Sequence, residues 1–92
     1  MTAIELTMRD VVRDQEAVHA WLRAHDLDPN RTIPGVLIAG DHVTAALYVH
    51  DENGKRIADR DPFTGAVLGL RTETVTIPLR QPLPPGLGTV IA

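Results

Sequence analysis

The stretch 36-VLIAGDHVTAALYVH-50 restricts the fold more than any other. Alternating residues flank Gly40-Asp41, a dipeptide suited to a two-residue type II′ turn with glycine at its first central position. A loop of that length fixes the pairing, with Ile38 opposite Val43 and Val36 opposite Ala45. The returning strand then carries Val43, Ala45, Leu47 and Val49 on one face, and Thr44, Ala46, Tyr48 and His50 on the other. A hairpin with one apolar face needs a second layer to cover it.

The covering layer is found in 14-DQEAVHAWLRAHDLDP-29. Ala17, Val18, Trp21, Leu22 and His25 recur at helical spacing as one apolar stripe. Asp14 is placed to cap the first turn, and Glu16 sits near the positive end of the helix dipole. Arg23 and His25 fall in the last turn, where positive charge is favoured. Asp26 is expected in the left-handed position after the helix, with Leu27 folding back and Pro29 preventing continuation. A start capped by Thr7, with Asp10 three residues on, competes with Asp14. The Asp14 start is preferred because Val11 and Val12 extend the stripe less cleanly.

Strands account for most of the remainder. Residues 2-TAIELT-7 alternate as a first strand. Asn53-Gly54 signals a hairpin, and a two-residue loop there sets Glu52 opposite Lys55 and Asp51 opposite Arg56. In 61-DPFTG-65 the chain turns again. The last strand, 70-LRTETVTIPL-79, places Val75, Ile77 and Leu79 inward and Thr72, Thr74 and Thr76 outward. Pro78 lacks a ladder donor, which puts that strand at an edge or ends it. The expected architecture is α+β: one amphipathic helix on a mainly antiparallel four- to five-stranded sheet, in the order β-α-β-β-β-β. Residues 1–81 make the domain, and 82–92 make an extended Pro/Gly-rich tail whose end, Thr89-Val90-Ile91, has the composition to pair or dock.

At 92 residues the chain is near the lower end of what builds its own core. Its only aromatics are Trp21, Tyr48 and Phe63, so that core is aliphatic, and self-association would reinforce it. A net charge of −3 argues against attraction to nucleic-acid phosphates. No apolar window is long enough to span a membrane, and no secretion signal opens the sequence, so the cytoplasm is the expected compartment. Eight arginines against the single Lys55, with no serine, reflect a high-GC coding sequence.

Chemistry finds little to work with. Serine and cysteine are missing and Lys55 lies in a turn, which leaves no activated nucleophile. His19 and His25 lie about 240° apart around the helix and cannot share a metal. His42 and His50 are far apart along one strand, and all four histidines read as surface residues. The acidic run beginning at Asp51 places Lys55 and Arg56 where a calcium loop needs ligands and glycine. Gly86-x-Gly88 is not followed by a helix and matches no phosphate cradle. No catalytic, cofactor or metal site is expected. The outer sheet face remains, bearing Thr44, Tyr48, His50, Thr72, Thr74 and Thr76, flat and uncharged and suited to a partner. A second candidate is the polar helix face of Glu16, His19 and Arg23.

The run from Asp10 to Pro34, the hairpin after it, 51-DENGK-55, 61-DPFTG-65 and 74-TVTIPLR-80 together resemble small uncharacterised proteins of actinobacteria and of their phages or prophages. Gln15 and Asp26 stand where that resemblance leads one to expect Pro and Gly, departures that local capping can absorb. The resemblance implies no catalytic residue. Together these features predict a non-enzymatic accessory protein, phage- or prophage-derived, that works by protein binding or self-association in the cytoplasm. The alternative is a small DNA-associated regulator that uses the helix at 14–25.

Overall fold

The computed structural model describes residues 3–91. Along the chain run β1 (Ala3–Leu6), α1 (Met8–Arg13), α2 (Gln15–Ala24), β2 (Val36–Ala39), β3 (His42–Tyr48), β4 (Ala58–Arg60), β5 (Val67–Leu70), β6 (Thr72–Pro78) and β7 (Thr89–Val90). Five strands form an antiparallel sheet in the order β6-β3-β2-β1-β7, while β4 and β5 pair only with each other. The fold is therefore α+β with a mainly antiparallel sheet, as expected. It has two helices instead of one, and a strand, β5, that the alternation did not reveal. Thr2 and Ala92, at the ends of the expected first strand and tail, lie outside the described residues.

The hairpin register holds: Ile38 pairs with Val43 across β2 and β3. β6 lies along the whole of β3, with Val75 opposite Ala45 and Ile77 opposite Val43. Their apolar face meets Val18, Trp21 and Leu22 of α2 in a core that also takes in Leu6, Leu27, Val36 and Ile38. β6 is an edge strand and Pro78 is its last residue, where a missing donor is tolerated.

Both helix starts in the sequence are used, which corrects the choice between them. The Asp10 carboxylate accepts from the Thr7 N–H at 2.8 Å and the Thr7 hydroxyl at 3.2 Å, anchoring the start of α1. Asp14 then ends α1 and caps α2, its side chain accepting from the Ala17 N–H at 3.2 Å. One residue serves both helices, so the two signals never competed. At the other end of α2, Asp26 has φ 58°. The N–H of Leu27 reaches Leu22 O and that of Asp26 reaches Arg23 O, a Schellman stop that returns Leu27 to the core.

The second hairpin departs from its expected register by one residue. His50 pairs with Arg56, and the Asp51 N–H donates to Lys55 O, so the loop holds three residues, 52 to 54. Gly54, at φ 78°, takes the left-handed position of a type I turn with a following bulge. The Asp51 carboxylate decides the outcome: it accepts from both the Asn53 and Lys55 N–H groups at 2.9 Å. It is thus engaged with backbone, and neither expected ion pair, Glu52–Lys55 or Asp51–Arg56, forms among the described residues. Arg56 lies instead over the Tyr48 ring, 4.1 Å from its centroid.

The tail is fastened to the helices and then to the sheet. Leu79, Leu83 and Leu87 pack against the core, and β7 pairs with β1 at the edge opposite β6. His25, 1% exposed, holds the tail's first residues. Its Nε2 accepts from the Arg80 N–H at 3.0 Å, which assigns the ring proton to Nδ1 and directs it to Trp21 O at 2.8 Å. The Trp21 indole N–H donates to Gln81 O at 3.1 Å. His25 is therefore a buried neutral bridge, and not the charged helix-end residue or surface histidine of the sequence reading. Farther along, the Gly88 N–H donates to Asp10 Oδ1 at 3.0 Å and Arg13 reaches Gly86 O at 3.1 Å.

Candidate interaction surface

Three backbone bonds build a junction where the main sheet ends. The Val49 N–H donates to Arg71 O, the Arg71 N–H to Ile57 O, and the Ile57 N–H to Val49 O, at 2.7–3.0 Å. Two hairpins branch from this closed ring: the short turn at 50–56 and a longer arm made of β4 and β5. The molecule measures 47 Å along its longest axis, and its radius of gyration is 14.9 Å. A compact chain of this size would have about 12 Å.

The arm's tip is ordered by its own residues. Asp61 Oδ1 accepts from the Phe63 and Thr64 N–H groups at 2.7 and 3.3 Å, and the Asp61 N–H donates to Ala66 O at 2.8 Å. Arg60 reaches Gly65 O at 3.1 Å, and Arg71 bridges to Asp59 along the stem at 2.8 Å. Pairing sets Ala58 opposite Leu70 and Arg60 opposite Val67, with a bulge between. Strand alternation therefore gathers Ala58, Arg60, Leu70 and Val67 on one side of the stem.

This ordered arm exposes apolar side chains. Every residue from 62 to 70 is exposed, with Phe63 at 95%, Leu68 at 69%, Val67 at 57% and Leu70 at 43%. An exposed apolar set of this kind makes the arm a candidate contact surface. The sequence reading took Asp61–Gly65 as a turn and passed over 66-AVLGL-70 as a strand. The signal was the unbroken apolar run directly after a five-residue turn, which reads as a strand once the pairing with Ile57–Arg60 is considered.

An open groove of about 260 Å³ lies at the root of the arm. Buried Leu6, Val18, Leu22 and Val36 form its bottom, and exposed Met8, Asn30, Pro34 and Arg56 stand at its rim. His19 and Tyr48 also line it. Arg56 supplies a permanent positive charge, and no carboxylate is among the lining groups.

The six residues singled out in sequence fall into two groups. Thr44, Thr72, Thr74 and Thr76 do share the open face: Thr44 pairs with Thr76 across strands, their hydroxyls 3.4 Å apart, while Thr74 faces Ala46 and Thr72 faces Tyr48. Tyr48 is covered on one side by Arg56 and lines the root groove. His50 has left the ladder; it pairs with Arg56 and its Nδ1 lies 3.2 Å from Tyr48 O. On α2, Glu16 and Arg23 are exposed and His19 turns into the groove, so that polar face is divided. A second helix does precede α2, but only Asp14 separates the two.

Asp10 has its carboxyl shifted from the ordinary carboxylate value. Burial pushes its carboxyl up, but this is outweighed by the Thr7 and Gly88 N–H groups, the Thr7 hydroxyl and the nearby charge of Arg13, so it is held below its ordinary value. These partners tie α1 to the tail, which makes Asp10 a structural carboxylate. Among the described residues, no three His, Asp or Glu side chains gather as a metal site, and no helix is long and apolar enough to cross a membrane.

No protein-family model matches this chain, and neither does any curated protein or solved structure.

Proposed function

We propose that this protein is a non-enzymatic accessory protein that acts by binding a protein surface, its own or another chain's, through the apolar arm and the threonine face beside it. The observation that carries the reading is the arm: a hairpin held in shape by internal hydrogen bonds, whose Phe63 and Leu68 are 95% and 69% exposed. An ordered apolar projection lowers the entropic cost of binding, because its side chains are already in place. The threonine face is continuous with it, since β3 and β6 run directly into the junction from which the arm springs. The absence of serine and cysteine, with the sole lysine in the exposed 51–55 turn, supports a binding role over covalent catalysis. Origin in a phage or prophage of a high-GC actinobacterium, and work in the host cytoplasm, belong to the same proposal and rest on the sequence resemblance.

Native mass spectrometry of the full chain recovered from its source cells tests the reading. Complexes present with the wild type, homomeric or heteromeric, are expected to disappear in Phe63→Asp/Leu68→Asp and to weaken in Thr74→Lys. Both substitutions fall on exposed sites, so the fold stays intact. Complexes that survive the arm double variant unchanged overturn the proposal.

A further inference from the structure

We infer that the groove at the root of the arm binds a small apolar monocarboxylate, its hydrocarbon body on the groove's bottom and its carboxylate on Arg56. Such a site is additional to the protein-binding role and independent of it. The bottom is firm because it is core: Leu6 and Val36 pair across β1 and β2, and Val18 and Leu22 stand one turn apart on α2. All four are at most 5% exposed. The wall between Pro29 and Pro34 is fixed by its own bonds. The Asp28 carboxylate accepts from the Asn30 N–H at 2.9 Å, the Thr32 hydroxyl donates to Asp28 O at 2.8 Å, and the Ile33 N–H donates to Ala46 O at 2.9 Å. The groove is thus shaped before anything enters it, which limits the entropy lost on binding.

The polar groups of the lining set the ligand's charge. Arg56 is brought here by its pairing with His50 and rests 4.1 Å from the centroid of the Tyr48 ring. Arg71 and Arg80 meet carboxylates at 2.8 and 2.7 Å, whereas the Arg56 guanidinium forms no ion pair or hydrogen bond among the described residues. Its fork of N–H donors matches the two oxygens of a carboxylate. The Tyr48 hydroxyl and the His19 ring also line the groove without a hydrogen-bond partner among the described residues, and each offers a donor. No carboxylate lines the groove, although the chain carries a net charge of −3. An anion is therefore favoured and a cation repelled, and one guanidinium suits a single negative charge better than a phosphate dianion. Volume sets the body. A cavity of roughly 150 Å³ holds a benzene ring. The groove offers about 260 Å³, room for a hydrocarbon body of about eight carbons.

Octanoate is the probe, with octanamide and octylamine as neutral and cationic controls of the same length. In NMR titrations of the full chain near neutral pH, octanoate is expected to bind with a dissociation constant of about 1 mM or below. The shifts should centre on Val18, Leu22, Ile33 and Tyr48, and both controls should bind about tenfold more weakly or worse. Arg56→Gln, a change to an exposed side chain, is expected to weaken octanoate about tenfold and leave octanamide unchanged, which erases the preference. Arg31→Gln, also exposed but outside the lining, should leave octanoate binding as it was. Octanamide or octylamine binding as tightly as octanoate overturns the site. So does a preference that survives Arg56→Gln, or an equal loss in Arg31→Gln. Shifts centred on Phe63 and Leu68, or no shift up to about 20 mM octanoate, overturn it as well.

Discussion

Replacing His25 with Phe removes both hydrogen bonds of the imidazole while keeping a ring in its place. In the wild type that ring stacks on Trp21 with centroids 4.1 Å apart. Its two partners, the Trp21 carbonyl and the Arg80 N–H, are then left without the bonds of 2.8 and 3.0 Å they now make. An unpaired buried polar group costs about 1–3 kcal/mol, and the Arg80 N–H is only partly buried, so the pair amounts to about 2–4 kcal/mol. Against a total of about 5–14 kcal/mol for a chain of this length, that is a large fraction. Urea unfolding measures it directly. With a slope of about 1–1.5 kcal/mol per molar, the midpoint is expected to fall by about 1.3–4 M at unchanged slope. His25→Ala should lose about 1–2 kcal/mol more, through the cavity it leaves. A midpoint within about 0.4 M of wild type for His25→Phe would refute the bridge between α2 and the tail.

Three further perturbations probe the rest of the scaffold. Gly88 has φ 89°, and a Cβ there would stand 2.6 Å from Ile4 Cγ2 and 2.8 Å from Leu83 Cδ1. Gly88→Ala is therefore expected to lose about 2–4 kcal/mol in the same unfolding assay, through backbone strain and overpacking. For Asp10 the folded carboxyl lies below its ordinary value of 3.8. Its stabilising share is thus full above that value and is lost as pH falls through the lower folded one. The gap in stability between wild type and Asp10→Asn should be constant near neutrality and close in strong acid; a gap that widens there would contradict the assignment. At the second hairpin, Asp51→Ala should speed amide exchange of Asn53 and Lys55 by about fivefold, the equivalent of about 1 kcal/mol. Glu52→Ala should leave both rates unchanged, because Glu52 forms no cross-strand pair.

What could be read from the sequence follows the range of the forces involved. The Gly40-Asp41 register, the Schellman stop at Asp26 and Leu27, and the inward Val75 and Ile77 are set by neighbours or by strict period, and each stands where it was expected. The Asn53-Gly54 hairpin was visible, but its loop length turned on a single carboxylate choosing backbone donors over Arg56. Pattern alone cannot weigh those alternatives, and a one-residue change in register removes both charge pairs. His25 shows the same limit at longer range. A histidine in a last helical turn suits positive charge by local rules, yet the Arg80 N–H arriving from 55 residues away makes it a neutral acceptor. For the candidate surface, four threonines were correctly grouped on the open face. The arm was missed because the period of a strand exposed on both sides carries no alternation to detect.

Hydroxyl-radical footprinting of Phe63 in the full chain tests the central claim, that the arm is the surface through which this protein binds. Labelling is compared between dilute purified protein and the protein at its working concentration in its own cell extract. The account predicts that Phe63, 95% exposed in the isolated chain, becomes protected in the second condition together with Leu68 and Leu70. Equal reactivity of Phe63 in both conditions, with protection appearing elsewhere on the molecule, would contradict it.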